Sequence, residues 1–115
     1  MSDARPVTVV ETATFIRQAT SIWDEGERTE FVDFIARNPE AGDRIPGTGG
    51  VRKVRWSRAG SGKRGGARVI YFYHQADAPL LLLLVYAKAR REDMTAEEKR
   101  TVRRIAAEAK SRMHG

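Results

Sequence analysis

The chain contains no cysteine. That absence removes disulfide frameworks, zinc ribbons and thiol nucleophiles, and it fits a reducing compartment. Long apolar runs are missing as well. The longest, Ala78 to Ala87, falls far short of the roughly 20 residues needed to span a bilayer, and Met1 to Val10 has no apolar stretch of signal-peptide length. The expectation is a soluble protein acting in the cytoplasm, with no membrane partner. A third absence is local: between Arg44 and Ala76 there is no Asp or Glu. That stretch holds eight cations, Arg44, Arg52, Lys53, Arg55, Arg58, Lys63, Arg64 and Arg68, although the whole chain carries a net charge of only +6. A local excess flanked by near-neutral segments directs a field, and it implies a phosphate-bearing partner, with nucleic acid foremost.

The 115 residues suit one domain, 1–115, with a core that needs no metal or disulfide support. Val7, Val9 and Val10 form a β-branched segment ending near Glu11, which predicts a first strand. Thr12 can cap a helix in which Phe15, Ile16, Ala19, Ile22 and Trp23 recur on one face. Asp24 and Glu27 have the spacing of a capping box, and Phe31, Phe34 and Ile35 form the stripe of a second helix that Asn38-Pro39 ends. Glu40 to Gly50, with Gly42, Pro46, Gly47, Gly49 and Gly50, predicts an irregular connection.

Two strands follow, Val51 to Ser57 and Ala67 to His74, joined by a loop with four glycines and expected to pair as an antiparallel hairpin. Period-two alternation puts Arg52, Val54 and Trp56 on one face and Lys53 and Arg55 on the other. In the second strand Val69, Tyr71 and Tyr73 share one face, while Arg68, Ile70, Phe72 and His74 share the opposite one. Leu80 to Lys88 is so continuously apolar that it predicts a central strand covered on both sides. Thr95 and Glu98 make another capping box, opening a helix with Val102, Ile105, Ala106, Ala109 and Met113 on one face. The fold class expected is α+β, in the order β-α-α-β-β-β-α.

Several ordered segments resemble one family. They are Asn38-Pro39-Glu40-Ala41-Gly42-Asp43, Ile45 to Trp56 with its Pro46-Gly47-Thr48-Gly49-Gly50 turn, Gly62 to Tyr71, and Tyr86-Ala87-Lys88 ahead of the capped helix. Together they are similar to the RelE/ParE superfamily of bacterial toxin-antitoxin toxins and, within it, to the HigB-like branch. The resemblance implies a small twisted antiparallel sheet with two N-terminal helices on one side and a C-terminal helix. It further implies ribosome-dependent cleavage of messenger RNA in the A site without metal or other cofactor, and a cognate antitoxin partner. The positions that carry over are Lys53, Arg55, Arg68 and Lys88 as the catalytic set. Arg58, Lys63, Arg64, Arg90 and Arg91 form the expected RNA- or ribosome-binding set.

Metal-free RNA cleavage needs a base for the 2′-hydroxyl proton, an acid for the departing 5′-oxygen, and cations against the charge that builds on the phosphate. Arginine suits the last task because its planar fork stays charged and reaches two oxygens. Arg55 and Arg68 are read as phosphate clamps, Lys53 as base or electrostatic organiser, and Lys88 as a positioning group near the leaving oxygen. Taken alone, each of these cations could equally be a solvated sheet face. Arg52, on the other face, reads as structural or antitoxin-contacting. Tyr71, Tyr73, Trp23 and Trp56 read as core anchors, and His74 and His114 as ordinary surface residues. Lys99, Arg100, Arg103, Arg104 and Lys110, opposite the apolar stripe of the last helix, read by default as a solvated face. Two other functions compete: a ParE-like gyrase inhibitor with no nuclease centre, and an inactive RNA-binding regulator.

Overall fold

The computed structural model describes residues 5–57 and 66–114. Eight elements follow one another: β1 (Val9–Glu11), α1 (Ala13–Ile22), α2 (Glu25–Arg37), β2 (Asp43–Arg44), β3 (Val51–Trp56), β4 (Ala67–Phe72), β5 (Leu80–Ala87) and α3 (Ala96–His114). The strands form one sheet in the order β1-β5-β4-β3-β2. The α+β class and the helices stand as expected, and two features of the sheet differ. It is mixed rather than wholly antiparallel, because β1 runs parallel to β5, with Val9 opposite Leu80. The connection from Glu40 to Gly50 also contributes a strand, the two-residue β2 on the edge of β3, so the order becomes β-α-α-β-β-β-β-α.

Capping residues set the helix starts. The Thr12 side chain accepts from the Phe15 amide and donates to the Leu82 carbonyl at 2.8 Å, so one hydroxyl both starts α1 and ties it to β5. Asp24 and Glu27 complete their capping box at α2, and Thr95 and Glu98 exchange the equivalent bonds at α3. Each cap of this kind stabilises a helix by about 1 kcal/mol.

Both faces of the sheet are covered. On one side Phe15, Ala19 and Trp23 of α1 and Phe31 and Ile35 of α2 pack on Val69, Tyr71, Leu80, Leu82 and Val85. Trp23, Phe31, Phe34 and Trp56 form a chain of ring contacts there, with centroids 4.9 to 6.4 Å apart. Truncating a buried ring such as Phe31 to Ala costs about 3–5 kcal/mol. On the other side Val102 and Ala106 of α3 pack on Val51, Ile70, Phe72, Leu83, Leu84 and Tyr86. The leucine run of β5 serves both cores through the alternation of a strand, interrupted once where the β4–β5 register shifts between Ile70 and Tyr71. Leu83 has no partner in that register, so Leu83 and Leu84 both join the α3 side before Val85 returns to the α1 side.

Candidate functional site

The alternation expected for β3 and β4 is realised. Arg52, Val54 and Trp56 face the α1–α2 layer, and Lys53 and Arg55 face the α3 side with Arg68. Register then brings residues into rows. Arg55 lies opposite Arg68, and Arg68 lies opposite Tyr86, so one line across three strands reads Arg55, Arg68, Tyr86. The next row on that face is Lys53, Ile70, Leu84. On the outer edge Asp43 of β2 stands opposite Lys53.

The connection between β5 and α3 supplies carboxylates to these cations. Asp93 lies 3.8 Å from the Lys53 ammonium and 3.4 Å from that of Lys99. Glu92 pairs with Lys88. Glu98 takes both nitrogens of the Arg91 fork, at 2.7 and 3.1 Å, and the Arg91 guanidinium lies 4.7 Å from the centre of the Tyr86 ring. The backbone bond from Met94, with the neighbouring Lys53 and Lys99, holds the Asp93 carboxyl below the usual range. The bond from Lys88 does the same for Glu92, with a further contribution from Arg68. Burial pushes the Tyr86 phenol up, opposed by Arg68 and Arg91.

The expected catalytic residues therefore meet around one region. Lys53 and Arg55 come from β3, Arg68 from β4, and Lys88 follows the end of β5, coupled to Arg68 through the charge of Glu92. Arg55 is exposed, Lys53 and Arg68 are partly so, and all three stand on the α3 side. Arg91 is committed to Glu98 and to the Tyr86 ring. Arg90 is exposed and lines a cavity of about 600 Å³ with Gln18, Trp23, Trp56 and Val85, towards the α1–α2 layer. Arg58, Lys63 and Arg64 lie outside the described residues.

Tyr86, Glu92 and Asp93 lie among these cations and were not singled out from sequence as their neighbours. Tyr86 was visible as a landmark before Lys88, but only the strand register sets it beside Arg68. Arg52 is structural: it is 8 % exposed and donates to the Gly42 carbonyl at 2.7 Å. Tyr71 is fully buried, accepting from the Gly42 amide and donating to the Pro39 carbonyl, both at 2.8 Å. Among the described residues no three His, Cys, Asp or Glu side chains gather as a metal site requires, and no helix is long and apolar enough to cross a membrane.

Comparison with known proteins decides the family. Residues 36–114 match the family model described as the RelE toxin of the RelE/RelB toxin-antitoxin system. The chain belongs to the RelE toxin family. The matched span runs from the end of α2 through α3, so it includes every strand that carries the cationic rows. A solved structure of a mutant E. coli toxin RelE in the free state is similar to this RelE-family chain with a TM-score of 0.54 and 13% identity, covering 76% of this chain and 90% of that one. At that identity the likeness concerns the fold. The HigB-like placement within the family rests on the sequence motifs alone.

Proposed function

We propose that this RelE-family toxin is a ribosome-dependent, metal-independent messenger endoribonuclease that arrests translation and is neutralised by a cognate antitoxin. The observation that carries the reading is the Arg55–Arg68 pair, two arginines directly opposed on neighbouring strands. Two guanidinium forks side by side on one sheet face are placed to take the non-bridging oxygens of one phosphate. The partly exposed Lys53 and Lys88 extend that field to either side.

In the reaction, the 2′-oxygen of the substrate attacks the adjacent phosphorus, and the bond from phosphorus to the 5′-oxygen breaks. The hydroxyl proton passes to a base and another proton goes to the departing oxygen, leaving a 2′,3′-cyclic phosphate and a free 5′-hydroxyl. Arg55 and Arg68 hold the non-bridging oxygens as negative charge builds. Lys53 acts as base or electrostatic organiser, with Asp93 fixing its position, and Lys88 serves the leaving oxygen. Tyr86 is 3 % exposed beneath Arg91, so it serves as the floor of the site rather than as an open acid. With so few proton-transfer groups, rate depends on bending the message into in-line geometry, which the A site of a cytoplasmic ribosome provides.

Cleavage of a defined message on programmed ribosomes tests the proposal. Primer extension should show cuts at the A-site codon that persist with a chelator present and vanish with Arg68→Ala. Intact message together with double-strand breaks in DNA would instead assign the protein to gyrase inhibition.

A further inference from the structure

The row beyond the arginines is Trp56, Ala67, Ala87, each opposite the next across β3, β4 and β5. It is the last row, because β3 and β5 end there and β4 begins there. Alternation turns Trp56 and Val85 towards α1 and α2, while Arg55, Arg68 and Tyr86 face the other way. The cavity of about 600 Å³ takes in both sides: Gln18, Trp56 and Val85 line it together with Tyr86 and Arg91. It therefore turns around the end of the sheet and borders the arginine row at Tyr86. Two alanines in the last row leave it room. Trp23 and Trp56, packed on Phe31 and Phe34 with ring centres 5.4 and 4.9 Å apart, give it fixed aromatic walls. One polar side chain on its wall has a set orientation. Gln18 Oε1 accepts from the Val85 amide at 3.0 Å, so Gln18 offers the cavity only its Nε2 donor. Exposed Arg90 adds further donors.

We infer that this cavity receives a nucleobase of the message beside the cleaved bond, and that it selects guanine. A phosphate held on Arg55 and Arg68 is one strand residue, about 3.3 Å, from the last row, so the attached base can pass around the sheet end into the cavity. The volume is in the range of small-ligand sites, and unpaired bases are held by aromatic side chains and by hydrogen bonds to their edges. A glutamine that reads adenine uses both halves of its amide, accepting from N6 and donating to N7. The oxygen of Gln18 is held by Val85, which removes that pattern. What remains are donors, from Gln18 and Arg90, and these match the O6 and N7 acceptors of guanine. The assignment rests on the messenger-cleavage reading above, which supplies the nucleotide.

Tryptophan fluorescence tests it, because Trp23 and Trp56 are the chain's two tryptophans and both line the cavity. The native chain, alone in solution, is titrated with GMP, AMP, CMP and UMP. Quenching should saturate with GMP, which should bind about tenfold tighter than AMP. Gln18→Glu keeps an acceptor for the Val85 amide and removes the donor. It should retain the native urea midpoint, bind GMP roughly tenfold more weakly and lose the preference over AMP. Ala87→Phe fills the cavity from the partly exposed end of β5 and should abolish the quenching. On programmed ribosomes native cuts should cluster beside G, and Gln18→Glu should lose that bias. Absence of saturable quenching, equal affinity for GMP and AMP, or unchanged GMP binding in Ala87→Phe would overturn the inference. So would an Ala87→Phe variant that keeps the native cut sites but escapes neutralisation by antitoxin, which would assign the cavity to that protein. GMP-selective quenching that both variants lose, without message cleavage by the native chain, would uphold the base site while refuting the nuclease.

Discussion

Arg55 and Arg68 face each other across the β3–β4 ladder on the same side of the sheet. Directly opposed like charges are unfavourable in a sheet, and both arginines lie on the face that carries the other candidate cations. Replacing Arg55 with Gln should leave the urea midpoint unchanged or slightly raised while message cleavage falls by roughly a hundredfold, the usual loss for one preorganised donor. Equal losses of stability and activity would mean that Arg55 is a packing residue.

Tyr71 fastens the segment before β2 to the sheet through its bonds with Gly42 and Pro39. Tyr71→Phe leaves a buried amide and a carbonyl without that partner, and should lower unfolding free energy by about 1–3 kcal/mol in urea titration. Burial holds the phenol above its ordinary value. The folded state therefore keeps its proton more tightly than the unfolded chain, and the contribution is present below about pH 10 and lost as pH rises through the folded value. Alkaline unfolding should be steeper in the native chain than in the Phe variant.

Gly42 has no room for a side chain: a Cβ there would sit 2.8 Å from the Lys53 carbonyl and 2.9 Å from the Tyr71 ring. Gly42→Ala should push the segment carrying β2 off β3, destabilising by about 1–3 kcal/mol. Amide exchange should quicken at Asp43 and Arg44, with α1 and α2 unaffected.

Glu98 responds to acid. The bond from Arg91 holds its carboxyl below the ordinary range, so the folded state binds its proton less readily than the unfolded chain. Its contribution is complete above the ordinary value near 4.3 and is lost as pH falls through the depressed one. Urea midpoints should drop below about pH 4.3, and Glu98→Gln should flatten that drop.

Local rules were enough for much of the fold and for part of the site. Thr12, Asp24 with Glu27, and Thr95 with Glu98 mark helix starts through spacings that act within one turn, so they are readable without tertiary knowledge. Alternation alone separated Lys53 and Arg55 from Arg52. The parallel pairing of β1 with β5 joins residues about 70 positions apart along three-residue β1, and β2 is two residues long; neither leaves a periodic trace. Asp93 reaches Lys53 only because the packed chain brings the segment before α3 to that face of the sheet, and the register that sets Tyr86 beside Arg68 is likewise a long-range property. Glu92 is different: it pairs with Lys88 only four positions away, a local spacing.

The central claim is that the opposed arginines act on a message held in the ribosome. The most direct measurement compares native chain and Arg68→Ala by primer extension on a ribosome-bound message, with chelator present. The account predicts A-site cuts with 2′,3′-cyclic phosphate ends for the native chain and a loss of roughly a hundredfold or more for the variant. Wild-type cutting by Arg68→Ala, or an uncut message with the native chain, would contradict it.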